Sequence, residues 1–194
     1  MSLTVDKCLQ AWTNSLKQMN AKADIVFLGD SLTYNGDFSD VFPDRVVCNL
    51  GLRGDTIQGL TNRIIQVKLL NPKKVFLMTG INDIASLTPA QFERQFNELI
   101  RVLIEQVQNV EVVVQSLLPV NDIEFKISCN NEQIINRNTI IRNIASKKGL
   151  LFLDLFTLYV KGGILPIDET IDGIHLLPEA YQKWKSELSS YRNI

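Results

Sequence analysis

Apolar residues open the chain at helical spacing: Val5, Cys8, Leu9, Trp12, Leu16 and Met19 share one face of a helix predicted over residues 4–20. The pattern then changes to short continuous runs. Ile25 to Leu28 is β-branched and aromatic and stops at Gly29-Asp30-Ser31, which predicts a buried strand over 24–30. Tyr34-Asn35-Gly36-Asp37-Phe38 and Pro43 break regularity, and Arg45 to Leu50 reads as a second strand. Asn49-Leu50-Gly51-Leu52-Arg53-Gly54-Asp55-Thr56 is a glycine-bearing turn that opens a helix at about 55–70, closed by Asn71-Pro72. Lys74 to Met78 is a third strand, ending in Thr79-Gly80-Ile81-Asn82-Asp83. Thr88-Pro89-Ala90-Gln91 combines a cap, a first-turn proline and a capping-box glutamine. Phe92, Phe96, Leu99, Leu103 and Val107 then mark the inner face of a long helix.

Glu111 to Ser116 is the fourth strand, and the polar connection 117–130 after it is expected to line a site because it follows a strand end. A helix at about 131–148, a fifth strand from Leu150 to Leu155 and, with Pro178 ahead of it, a last helix to about 190 complete the order. Strands alternating with helices predict a five-stranded parallel sheet covered on both faces, an α/β three-layer sandwich. At 194 residues, with no linker, repeat or low-complexity segment, residues 1–194 read as one domain.

Charge narrows the partners. With 20 basic and 21 acidic residues the net charge is −1, and no Lys/Arg cluster marks a nucleic-acid or anionic-membrane surface. No apolar stretch is long enough to span a bilayer, so neither nucleic acid nor stable membrane insertion is expected. Cys8, Cys48 and Cys129 are widely spaced and form no CxxC pair, which points to reduced thiols and a cytoplasmic setting, with Cys48 as a small core residue. The N-terminus has no secretory pattern, although a leader removed earlier stays open, as does a homo-oligomeric state.

The candidate chemistry lies at the strand ends. A serine hydroxyl attacks only when a base takes its proton and a third group orients that base. Ser31 follows the first strand, and the chain's one histidine, His175, stands three residues after Asp172 in a Gly- and Pro-bounded loop. Asp172 can accept from one ring nitrogen while the other faces Ser31, in a usable Ser, Asp, His order. Donors for a developing oxyanion are available from the Ser31 N–H, from Gly54 at a turn that opens a helix, and from the Asn82 side chain. Each has a plainer reading: Ser31 as a helix cap, Gly51 and Gly54 as turn formers, and Asn82-Asp83 as a cap. Their joint appearance after three successive strands favours the site.

Gly29-Asp30-Ser31-Leu32, Gly54-Asp55-Thr56, Gly80-Ile81-Asn82-Asp83 and Asp172-Gly173-Ile174-His175 resemble, in order, the four sequence blocks of the GDSL/SGNH hydrolase family, over residues 25–181. The resemblance implies a flavodoxin-like fold, Ser31 as nucleophile, His175 as base, Asp172 as its orienting partner, and Ser31, Gly54 and Asn82 as the oxyanion hole. The G-x-S-x-G elbow of ordinary α/β-hydrolases is absent, since Thr33 replaces its second glycine. The expected activity is that of a metal-independent serine esterase or acylhydrolase, needing no cofactor, on small-molecule esters with short acyl or acetyl groups. A lysophospholipase or platelet-activating-factor-acetylhydrolase-like activity is the alternative, and an acyltransferase would share the same acyl-enzyme. A non-catalytic ligand-binding module is disfavoured, because neither GxGxxG nor a P-loop is present. One histidine and scattered cysteines provide no zinc-ligand cluster. Asp37, Arg53 and the 117–130 loop are further candidates for the pocket wall.

Overall fold

The computed structural model describes residues 3–192, with residues 3–6 as backbone only. Five parallel strands, β1 (Ile25–Gly29), β2 (Val47–Gly51), β3 (Lys74–Met78), β4 (Glu111–Gln115) and β5 (Leu151–Leu153), form one sheet in the order β2-β1-β3-β4-β5. That is the flavodoxin-like order, with the chain reversing direction across the sheet beside β1. β1 and β3 are buried along their whole length, as parallel strands covered on both faces must be.

Eight helices accompany the strands among the described residues: α1 (Leu3–Met19), α2 (Ser31–Asn35), α3 (Ile57–Asn62), α4 (Ile64–Leu70), α5 (Pro89–Gln106), α6 (Asn131–Lys147), α7 (Leu155–Tyr159) and α8 (Tyr181–Leu188). The connections leaving β2, β3 and β4 step in one direction across the sheet. Their right-handed course sets α3 to α6 on one face, where α3 and α4 pack on α5 and α5 packs on α6. On the other face Phe27 and Phe76, register partners of β1 and β3, stack with centroids 4.8 Å apart. Phe38, Phe42, Trp184 and Tyr191 continue that aromatic layer. Each fully buried ring of this layer contributes roughly 1.5–3 kcal/mol through the area it removes from water. The Trp184 indole N–H donates to Gln115 Oε1 at 2.7 Å, so the layer hides no unpaired indole.

Several expectations need correction. The helix read at 55–70 is broken at Arg63, whose backbone leaves helical geometry (φ −113°, ψ 14°) between α3 and α4. Arg63 is buried and its side chain is drawn toward the sheet, so this position obeys a polar contact and not the apolar period. The fifth strand is three residues long, and α7 starts at Leu155, where the sequence pattern predicts strand. Pro178–Ala180 form a 3₁₀ turn, and α8 follows it from Tyr181 to Leu188. On α1, Trp12 and Leu16 pack against the core but Met19 is exposed; Val5 lies outside the described side chains. Cys48 is half-buried, Cys129 buried and Cys8 exposed, and all three are free thiols. Among the described residues no helix is long and apolar enough to cross a membrane.

Candidate active site

Parallel strands finish on the same edge of a sheet, so the segments after β1, β2 and β3 are delivered to one place. The first of these carries Ser31. Asp30, not Ser31, caps α2: its Oδ1 accepts from the Leu32 N–H at 3.0 Å, and Ser31 is the first helical residue. Position N1 leaves the Ser31 N–H without an intrahelical acceptor. The helix is held from below by the Tyr181 hydroxyl, which donates to the Leu32 carbonyl at 2.8 Å.

From the far end of the chain the 170–175 loop closes over this helix. Its shape comes from a set of short bonds. Thr170 Oγ1 donates to the His175 carbonyl at 2.8 Å and accepts from the Gly173 N–H at 2.9 Å. The Asn121 N–H donates to the Gly173 carbonyl at 2.9 Å. The 117–130 connection therefore braces the loop and does not line the cleft, contrary to expectation. Asp37 is likewise elsewhere: its carboxylate accepts from Ser39, in a turn outside the cleft.

The loop places His175 Nε2 2.9 Å from Ser31 Oγ and His175 Nδ1 2.7 Å from Asp172 Oδ2. Asp172 Oδ1 accepts from the backbone N–H groups of His175 (2.8 Å) and Ile174 (3.0 Å). Partial burial works to raise the Asp172 pKa, but the His175 amide and ring and the Ile174 amide outweigh it and hold the carboxyl below its usual range. An ionised carboxylate only accepts, so His175 Nδ1 carries the proton and Nε2 presents its lone pair to the Ser31 hydroxyl. Serine, imidazole and carboxylate thus form one continuous chain of hydrogen bonds.

Gly54 and Asn82 line the same open cleft of about 440 Å³ as Ser31 and His175, together with Asn35, Arg53, Ile171 and Asp172. The two glycines of the second block differ in what their N–H groups do. Gly51 donates to Asn49 Oδ1 at 2.8 Å, whereas the Gly54 N–H has no acceptor among the described residues. Gly54 sits at φ +71°, a left-handed turn conformation natural to glycine. Asn82 commits one side-chain N–H to the Asp55 carbonyl at 2.8 Å, which anchors the amide group and leaves its second N–H for the cleft. A larger polar groove of about 660 Å³ between α3 and α5 contains neither serine nor histidine.

Beneath the cleft lies a buried charge cluster that the patterns of the sequence do not signal. Arg63 pairs with Asp55 at 2.7 Å and donates through Nη2 to the Gly29 carbonyl at 3.1 Å. Asp83 Oδ2 accepts from the Ile57 N–H at 3.1 Å. The ends of β1, β2 and β3 are thereby tied through one guanidinium and two carboxylates. Burial raises the Asp55 pKa against the opposing pull of Arg63, and it pushes Asp83 up to about 6. Asp30, wholly buried, is driven up to about 7 by desolvation, opposed by the Leu32 N–H and helped by Asp55. An arginine at a position flanked by Leu60, Ile64 and Val67 was the one available hint of this cluster. Among the described residues no group of three or more His, Cys, Asp or Glu could hold a metal ion.

The model of the GDSL-like lipase/acylhydrolase family matches residues 27–183, most of the chain. This chain belongs to that family. GDSL-like hydrolases of this kind are ester-cleaving acylhydrolases. Solved structures agree on the fold. The chain superposes on a protein from Streptococcus pneumonia, provisionally named a platelet activating factor, with a TM-score of 0.82 at 23% identity, over 99% of this chain and 100% of that one. A GDSL-like lipase from Bacteroides thetaiotaomicron gives 0.77 at 18% identity, covering 95% and 96%. The acetyl xylan esterase AlAXEase gives 0.73 at 21% identity, covering 86% and 98%. A search of curated protein sequences returns no match.

Proposed function

We propose that this GDSL-like acylhydrolase is a serine esterase that acts through an acyl-enzyme on Ser31. The observation that carries the reading is the unbroken Asp172–His175–Ser31 chain of hydrogen bonds at the mouth of the cleft holding Gly54 and Asn82. Ser31 Oγ attacks the ester carbonyl carbon while His175 Nε2 takes the hydroxyl proton. The displaced electron pair collects on the carbonyl oxygen, which accepts from the Ser31 and Gly54 amides and the Asn82 side chain. Collapse expels the alcohol, which takes the proton from His175, and leaves acyl-Ser31. Water then attacks the acyl carbon with His175 as base, and the acid departs. Asp172 holds the ring's tautomer throughout. These steps call for no metal and no cofactor.

Small acyl groups, acetyl first, suit the short open cleft, and the acetyl xylan esterase relative supports that side. A lysophospholipid or related lipid ester is the second reading. It is supported by the platelet-activating-factor name of the pneumococcal relative and by the exposed Ile171 on the cleft wall. A p-nitrophenyl ester series from acetate to long acyl chains, run on wild type and Ser31→Ala, tests both. Ser31→Ala is expected to lose several orders of magnitude, roughly a millionfold for a nucleophile that works as a unit with its base. Equal rates in the two proteins would overturn the assignment, and the chain-length optimum separates acetyl from lipid esters.

A further inference from the structure

We infer that Arg53 is an anion-recognition residue, and that the substrate is an ester carrying a carboxylate or phosphate group beside the scissile bond. This deepens the serine-esterase reading and rests on it. The charges in the cleft lead to it. Asp172 lines the same cleft, but its oxygens accept from the His175 ring and from two backbone amides, and no ion pair joins it to Arg53 among the described residues. Arg53 also lines the cleft, next to Gly54, and no carboxylate among the described residues stands within ion-pair distance of it. A permanent positive charge is therefore left facing the space where substrate must sit.

Two contacts with α2 orient it. The Arg53 guanidinium carbon lies 4.9 Å from the centroid of the Tyr34 ring, a cation–π contact. Nη2 donates to Asn35 Oδ1 at 3.0 Å. Tyr34 and Asn35 belong to α2, the same helix that begins with Ser31, so cation and nucleophile are referred to one short element. Asn35 takes one N–H; the guanidinium fork has four more, in the planar arrangement that suits a carboxylate or phosphate. Neutral esters would leave that charge to Tyr34, Asn35 and water, whereas an anionic ester would be drawn in and oriented by it.

The test uses two acetyl esters of the same phenol skeleton, 4-acetoxyphenylacetate (anionic) and 4-acetoxyphenylacetamide (neutral), with a second pair bearing the charge on the acyl side, the p-nitrophenyl half-ester of adipic acid and its terminal amide. Binding to the Ser31→Ala protein, followed by chemical-shift titration, reads anion preference without turnover; kcat/KM of the wild type reads it with turnover. In at least one pair the charged member is expected to be preferred, the preference shrinking with added salt as for any partly exposed charge. Arg53→Met should reduce the charged-to-neutral ratio about five- to tenfold, between the values of a solvated ion pair and a sheltered charged hydrogen bond, chiefly through KM. Arg53→Lys should recover part of it, losing the fork but keeping the charge. Ratios that do not move in Arg53→Met for either pair overturn the assignment. So does an equal fall for charged and neutral esters, which would place Arg53 on the oxyanion instead. Ser31-dependent hydrolysis of both members with no anion preference sinks the Arg53 inference alone. Anion preference in binding with no hydrolysis by the wild type sinks the esterase reading alone.

Discussion

Replacing Asp30 by asparagine should change how stability depends on pH, in a direction the structure dictates. Asp30 is wholly buried next to Ser31; Oδ1 caps Leu32, while Oδ2 has no hydrogen-bond partner. Its pKa rises from the ordinary 3.8 to about 7. Between those values the folded chain keeps a proton that the unfolded chain has released. The native state therefore binds more protons, and stability falls as pH climbs through that window. Each pKa unit is about 1.4 kcal/mol, so the loss attributable to this group reaches at most about 4 kcal/mol at neutral pH and above. The amide introduced by Asp30→Asn can still accept from the Leu32 N–H but cannot titrate. Urea unfolding of both proteins at intervals from pH 4 to pH 8.5 isolates the effect. Groups such as Asp172, whose lowered pKa makes stability rise with pH, contribute equally to both proteins and cancel in the difference. The advantage of Asp30→Asn over wild type should grow steadily to about pH 7 and then level off. A difference that stays constant over the range would refute the reasoning, and one that shrinks with pH would reverse its sign.

Arg63→Met should lose about 3–5 kcal/mol in urea titration, because it strands the Asp55 carboxylate in the interior without its partner; a loss below about 1 kcal/mol would mean the pair is dispensable. A Cβ on Gly51 would stand 2.2 Å from the Tyr34 backbone nitrogen, so Gly51→Ala must displace α2 and should lower both the unfolding midpoint and kcat. Gly54→Ala meets nothing within 4 Å and faces only the strain of φ +71°, roughly 1–2 kcal/mol. Circular dichroism melts of the two glycine variants should rank Gly51→Ala as the less stable.

What could be read from the sequence follows from how each signal is written. Capping boxes are local and chemical, and both side-chain arms of the Thr88/Gln91 box are present where expected. Lys74–Met78 is an unbroken apolar run after a lysine, and its strand bounds match the reading. The five-residue helices α2 and α7 span barely more than one turn, too short for a helical period to register. The break at Arg63 is invisible to periodicity because Leu60, Ile64 and Val67 keep the apolar rhythm on either side. At the site, a single histidine left Ser31 only one possible partner, so the residues that now lie together in the cleft could be named in advance. The groups that hold them, Thr170, Tyr181, Asn121 and Arg63, carry no motif. Each is an ordinary polar residue until a distant carbonyl or amide comes within reach.

Ser31 and His175 touch across 144 positions of sequence, with Gly54 and Asn82 entering from two other strand ends. No contiguous fragment ending before residue 175 can assemble this cleft. On the serine-esterase reading, the chain would therefore carry Ser31 during synthesis as an inert hydroxyl for most of its length. Reactivity would switch on late, once the 170–175 loop has emerged and docked against Asn121 and the helix of Ser31. After dilution from denaturant, recovery of ester hydrolysis should lag the return of helical signal on the same reading, because local helical contacts form before one that spans 144 positions.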